Sequence, residues 1–257
     1  MSKRREALLL RERTPLEIVL YAIYLYLSGL SLRQTSRTLH SIGVRRSHEA
    51  VRLWVHRLAS KAYEAVSKLR SGVAVVDETA VNVGGTRVWL WVAIEPKRRA
   101  LLAMNMTQTR NMLAAYSFLL HLKRVHGVRH VVTDGAPWYR AAASLARMGH
   151  EVVHGGVRSY VERFICSVKD RLRGFDVYFP SRKGLLGSAI KLLYAWAGFY
   201  NFSRLHLSLG EPPVPLPGLT ELERLKQMLI LAEDRKLSLI HISEPTRPRL
   251  ISYAVFC

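Results

Sequence analysis

The sequence predicts an α/β chain: a mixed sheet flanked by helices, preceded by a small all-α helix-turn-helix domain. Three observations predict it. Residues 15–70 read as helix, short turn, short helix, glycine-containing turn and long helix. From residue 72 the apolar period shortens to that of strands, in three consecutive runs joined by short turns. Beyond residue 110 helical and strand segments alternate, which is how a sheet covered by helices is written along a chain.

The elements follow in order. Residues 1–14 are a basic lead-in. Thr14 is a candidate cap and Pro15 suits a first helical position, opening an apolar run over 16–27 that ends at "SGLS". Ser31 is placed to cap "LRQTSRTLH", Gly43 breaks that helix, and Ser47 is placed to cap "HEAVRLWVHRLASKAYEAVSKL". This is the layout of a helix-turn-helix DNA reader. A small dimerisation bundle is the alternative. Arg45, Arg46, His48, Arg52 and His56 gather at the start and outer face of the third helix and favour DNA.

Strands are predicted at "VAVVDETAV", "TRVWLWVAIE" and "RALLAMNM", an antiparallel meander with "VNVGG" as its first turn. The helix "NMLAAYSFLLHLKRVHG" should stop at Gly127. "VRHVVTDG" is short, apolar and glycine-ended, as a strand buried on both faces would be. Helix, brief strand and helix follow in "PWYRAAASLARMG", "HEVVHG" and "SYVERFICSVKDRLRGF". A further helix, "SAIKLLYAWAGFYNFSRL", precedes the proline-rich "GEPPVPLPG". This is the element order of the ribonuclease H-like fold. The expected divisions are 15–70 for the helix-turn-helix, 71–215 for the sheet domain and 216–236 for a C-terminal helix.

Composition narrows the function. Lys and Arg number 39 against 19 Asp and Glu, a formal net charge of +20, and such an excess calls for a polyanionic partner, nucleic acid first. An anionic membrane surface is the competing reading. Apolar residues make up 49%, enough for a core. No apolar run reaches the length of a bilayer span, and the charged N-terminus carries no signal-peptide pattern. Cys166 and Cys257 are the only cysteines, too few for a disulfide framework or a cysteine-rich zinc site. A soluble cytoplasmic, nucleoid-associated protein is the expectation.

Against that basic background, three acids stand out. Asp77 closes the first strand, Asp134 closes the fourth, and Glu162 lies on the helix after the fifth. If the first and fourth strands are neighbours, Asp77 and Asp134 lie side by side. Converging carboxylates are hard oxygen ligands of the kind Mg2+ or Mn2+ takes. Two such ions activate a water or a 3′-hydroxyl and stabilise the leaving oxygen of a phosphodiester. Acids hold the metal and the surrounding cations hold the phosphate backbone. Glu162, Lys169 and Arg173 share one helix face, with Cys166 near it; a solvated charged face is the plainer reading. Glu78 should point away from Asp77 if the strand persists, and Asp170 is a rival third acid. Trp138 and Tyr139 are placed to stack on a base or simply to pack.

These blocks together resemble one family. "VVDETAVNVGG", "VWLWVAIEP", "TQTRN", "VVTDGAPWY", "YVERFICSVKDRL" and "FYNFSRLHLSLGEPP" occur in the order found in DDE transposases of the insertion-sequence-six type, archaeal branch. The resemblance covers nearly all of residues 15–215. It implies a ribonuclease H-like catalytic core, with Asp77, Asp134 and Glu162 as catalytic and metal-binding triad. It implies Lys169 as a DNA contact, and Arg110 in "TQTRN" joins Arg45, Arg46, His48, Arg52, Trp138 and Arg173 as candidate DNA-binding residues. Partners would be transposon terminal inverted repeats and target DNA, bound by a homodimer or higher oligomer. The spacing from Asp134 to Glu162, 28 positions, is shorter than in most DDE enzymes, and "VERF" stands where Glu-Gln is usual.

Two further expectations concern activity and the tail. An inactive DNA-binding remnant or regulator of the same fold, and a structure-selective nuclease, are the alternatives to a transposase. The final 21 residues, "LSLIHISEPTRPRLISYAVFC", show neither helical nor strand period. They resemble a translated sequencing-library adaptor, so residues 237–257 are expected not to be native. Removing their Arg247, Arg249 and Glu244 takes the charge from +20 to +19, and the charge argument stands.

Overall fold

The computed structural model describes residues 12–154, 156, 158–171 and 186–233. The tail at 237–257 and Arg173 lie outside them. Of the described residues, those up to Ala65 join Lys191–Glu233 in one compact unit, and Val66–Ile190 form the other. The sequence reading had instead kept everything from 71 to 215 together.

The first unit is helical. Helix α1 spans Leu16–Leu27, α2 Leu32–Ser41 and α3 His48–Ser67. Helix α1 buries Val19, Leu20, Ala22, Ile23 and Leu27. Thr14 does not cap it; no side chain does. The Thr14 hydroxyl is engaged elsewhere, donating to Glu12 at 2.6 Å and accepting from Arg46 Nε at 2.6 Å. Ser31 forms a full capping box with Gln34, satisfying two main-chain donors reciprocally. Ser47 Oγ accepts the N–H of Ala50 at 3.2 Å. Val51, Trp54, Val55, Leu58 and Ala62 form the buried stripe of α3, at the spacing that keeps one helix face inward. The C-terminal part of the unit contains a π-helical turn, Phe199–Ser203, and a helix over Glu221–Glu233. That helix is tied to α1: Tyr24 donates to Glu221, and Lys226 reaches Glu17 at 3.1 Å. The resulting aromatic and aliphatic packing explains why "FYNFS" is buried throughout.

The second unit is a five-stranded sheet in the order β3-β2-β1-β4-β5. Its strands are β1 Val73–Val83, β2 Thr86–Ile94, β3 Leu101–Thr107, β4 His130–Thr133 and β5 Gly149–Val152. The first three are antiparallel, and β4 and β5 add in parallel. This mixed order is that of the ribonuclease H-like fold, as expected. The β1–β2 turn is Gly84-Gly85, both at positive φ, the pairing a tight hairpin with right-handed strand twist prefers. Helices α4 (Met112–His121, extended by a π-helical turn to His126) and α5 (Pro137–Leu145) cover one face. There Ala74, Val76, Trp91 and Ala93 pack against Phe118 and Tyr139. Helix α6 (Arg158–Arg171) packs on β1 and β2. The helix that begins at Gly187 is α7 (Gly187–Gly198), and Glu221–Glu233 is α8.

Strand β1 is longer than the sequence suggested. Asp77 does not end it, because pairing with β2 continues to Val83↔Thr86, while pairing with β4 stops at Val75↔Val132. Asp77 therefore sits mid-strand, just past the point where its parallel neighbour leaves.

Candidate active site

That point is where open α/β sheets place ligands, beyond the carboxyl ends of parallel strands. The register pairs Val73 with His130, Ala74 with Val131 and Val75 with Val132. Continued by two residues, it sets Asp134 beside Asp77, with both side chains on one face by the period of two. Asp77 is buried, 7% exposed, and Asp134 is half-buried. Each carboxylate is oriented by main chain. Asp77 Oδ1 accepts the N–H of Glu78 at 2.9 Å, and Asp134 Oδ1 accepts that of Ala136 at 3.0 Å. Gly135, between Asp134 and Ala136, has φ +81, and a Cβ there would lie 2.7 Å from Val152 Cγ1. Only glycine fits this turn without strain.

Glu78 points to the opposite face, as alternation requires. Its side chain is only 3% exposed. Tyr139 Oη donates to it, and Arg110 Nη1 lies 3.6 Å from Oε1. Burial pushes its carboxyl up to about 7, with the negative charges of Asp77 and Asp134 acting in the same direction and Tyr139 and Arg110 opposing. Three acids thus share one field, although the strand separates them onto two faces. The Arg110 guanidinium is flanked by aromatic rings, 4.0 Å from the Trp89 centroid and 4.6 Å from that of Trp138. Trp91 stands edge-on to Tyr139 and donates from Nε1 to Thr107 Oγ1 at 2.7 Å.

Glu162 is exposed on α6, at the flank of the buried stripe Val161, Phe164, Ile165 and Val168. Cys166 is exposed beside it, Lys169 is half-buried and Asp170 exposed. Among the described residues no three His, Cys, Asp or Glu side chains are grouped so as to hold a metal ion. Asp77 and Asp134 both act on Glu78, and Glu162 joins no group of three such side chains among the described residues. Asp77 and Asp134, whose negative charges add to the burial that raises Glu78, suit a hard divalent cation, whose charge would offset theirs.

Arg45, in the turn before α3, and His48, at its start, are exposed. Arg46 is held by Thr14. Arg52 is engaged by Glu49, with Nε–Oε2 at 2.8 Å, and Arg52 Nη1 lies 3.2 Å from His56 Nδ1. Sequence reasoning missed Trp89 and the joint engagement of Glu78, Tyr139 and Arg110. Alternation in "TRVWLWVAI" would have placed Trp89 and Trp91 on one face, but not beside Arg110.

The strand order and the mixed pairing make this a sheet of the ribonuclease H-like class. A family model of the DDE domain, of the IS240 transposase group, matches residues 72–173. An uncharacterized protein of Methanocaldococcus jannaschii is 31% identical over 193 residues, covering 75% of this chain and 89% of the relative. The chain belongs to the DDE transposase family. Among solved structures, the HTLV-2 integrase catalytic core domain in complex with magnesium is similar at TM-score 0.42 and 16% identity, covering 56% of this chain and 95% of that one. The catalytic core domain of BIV integrase is similar at TM-score 0.42 and 19% identity, covering 56% and 91%. Among the described residues no helix is long and apolar enough to cross a membrane.

Proposed function

We propose that this transposase binds the terminal inverted repeats of its element and catalyses metal-dependent cleavage and strand transfer, using Asp77, Asp134 and Glu162. The observation that carries the reading is the β1–β4 register, which continued by two residues sets Asp134 beside Asp77. Asp77 and Asp134 would hold divalent cations, Mg2+ or Mn2+ as a pair, and Glu162 would complete the set from α6. Bound there, the cations would supply Lewis-acid stabilisation of the attacking and leaving oxygens. The chain's own part is to keep both carboxylates oriented through the Glu78 and Ala136 N–H groups. Burial of Asp77 limits water around it. Arg45, Arg46, His48 and Arg52 would contact the repeats, with Lys169 and Arg173 on the backbone near the scissile bond. Arg110 and Trp138 are the remaining candidate contacts. A homodimer or larger assembly on DNA, in the cytoplasm at the nucleoid, is the setting proposed for this chemistry.

The test is a labelled transposon end with Mg2+ or Mn2+, using wild type and the single variants Asp77→Asn, Asp134→Asn and Glu162→Gln. Cleavage and joining by wild type, lost in all three variants with end binding kept, supports the reading. Cleavage without joining points instead to a nuclease. Binding without either reaction points to an inactive remnant.

A further inference from the structure

We infer that Tyr139, through its hydrogen bond to the buried carboxylate of Glu78, is a positioning residue for Asp77 and hence for the cation-binding pair. The inference rests on the reading above that Asp77 and Asp134 are the metal ligands, and goes beyond it by assigning the residues that hold them in place.

Asp77 and Glu78 are consecutive on β1 and face opposite sides of the sheet. Whatever fixes Glu78 therefore fixes the peptide that carries Asp77, and that same peptide donates its N–H to Asp77 Oδ1 at 2.9 Å. Glu78 is fixed from three elements. Tyr139 on α5 donates to its Oε2, Arg110 in the β3–α4 loop pairs with its Oε1 at 3.6 Å, and β1 itself supplies the backbone. Tyr139 is fully buried and stands edge-on to Trp91, 6.0 Å between centroids, so its hydroxyl has little freedom to move. The Arg110 guanidinium is held between Trp89 and Trp138. A buried carboxylate keeps its place only while it is paired and hydrogen-bonded. Loss of the Tyr139 donor leaves, of these two side-chain contacts, only that of Arg110 and frees the Glu78 side chain to change rotamer, which loosens β1 at Asp77. Partners that orient ligands without touching the metal commonly account for 10–100-fold in metal affinity or activity.

The experiment measures Mn2+ binding to the full-length protein by calorimetry, alongside thermal melts and single-turnover cleavage of a labelled transposon end. The variants are Tyr139→Phe, Glu78→Gln, the double variant, and Asp77→Asn as reference. Tyr139→Phe is expected to weaken Mn2+ binding about 10-fold and to slow cleavage, with end affinity unchanged and raised Mn2+ restoring part of the rate. The double variant should lose no more than the larger single loss, because both changes break one link. If Tyr139→Phe binds Mn2+ like wild type while Asp77→Asn does not, the positioning role is wrong and the metal reading survives. If Asp77→Asn also binds Mn2+ like wild type, the metal reading itself fails. Should Tyr139→Phe not fold, Arg110→Gln, at a partly exposed position, replaces it with the same two outcomes.

Discussion

Asp77 and Asp134 each lie two residues beyond the Val75↔Val132 pair that ends the β1–β4 ladder, and each carboxylate accepts a main-chain N–H from one of the two residues that follow it. Their orientation is thus written into backbone geometry. Side-chain freedom, which for a carboxylate on a loop would have to be frozen on cation binding, is already reduced before any ligand arrives.

Asp134→Asn separates the two jobs of the protein. The amide keeps the size and one oxygen but removes the charge that would hold a cation. Cleavage and strand transfer should fall by orders of magnitude, since several kcal/mol of transition-state stabilisation is lost. End binding should stay near wild type. Lys169→Ala should show the reverse weighting, with weaker DNA engagement and a residual rate. Retention of wild-type strand transfer by Asp134→Asn would falsify the metal role of Asp134.

Gly135→Ala tests the turn. Its φ is +81 and its Cβ would meet Val152 Cγ1 at 2.7 Å. The combined strain should cost about 1–3 kcal/mol of stability, read from denaturant melts. Asp134 is adjacent, so cleavage should fall by more than the folded fraction explains. A variant as stable and as active as wild type would show that the turn is not constrained.

Charge on α3 and in the turn before it is expected to act unequally. Arg45 is exposed, whereas Arg52 is engaged by Glu49. Arg45→Ala should weaken end binding and lower the salt slope by about 1. Arg52→Ala should have the smaller effect, and Glu49→Ala should tighten binding by releasing Arg52. Fluorescence anisotropy of the full chain across a salt series distinguishes these outcomes. Equal effects of Arg45→Ala and Arg52→Ala would mean that the Glu49 pair breaks on DNA at no cost.

His126 should make the sheet unit acid-sensitive. It is 1% exposed and its Nδ1–H donates to the Leu69 carbonyl at 2.8 Å. Burial lowers its pKa from 6.5 to about 4. Above pH 6.5 the ring is neutral folded or unfolded and adds no pH dependence. Between 6.5 and 4 the unfolded chain takes up a proton that the folded chain refuses, so stability falls as pH falls. Below 4 the loss levels off at roughly 3 kcal/mol. Urea melts from pH 7.5 to 4 should therefore be flatter for His126→Gln than for wild type. Parallel profiles would show that His126 is not the group responsible.

The sequence by itself determined the kind of elements present and the residue types of the chemistry. Local signals were enough for that. The capping box at Ser31 and Gln34, the stop at Gly127 with φ +74, and the shift from helical to strand period are properties of neighbouring residues. The order of those elements sufficed for the mixed sheet. Tertiary structure alone decided the rest. The placing of Asp77 inside β1, and the strand's end at Val83, depended on how far β2 keeps pairing with it. Thr14 was spent on Glu12 and Arg46 rather than on a helix cap because a partner 32 positions away competed for its hydroxyl. The role of Glu78 emerged from Tyr139, 61 positions away, and from an arginine held between two indoles. Likewise Lys191–Glu233 joined the N-terminal helices instead of the sheet that precedes it in sequence. Period and propensity act between residues a few positions apart, whereas burial and pairing act between residues that only the folded chain makes neighbours.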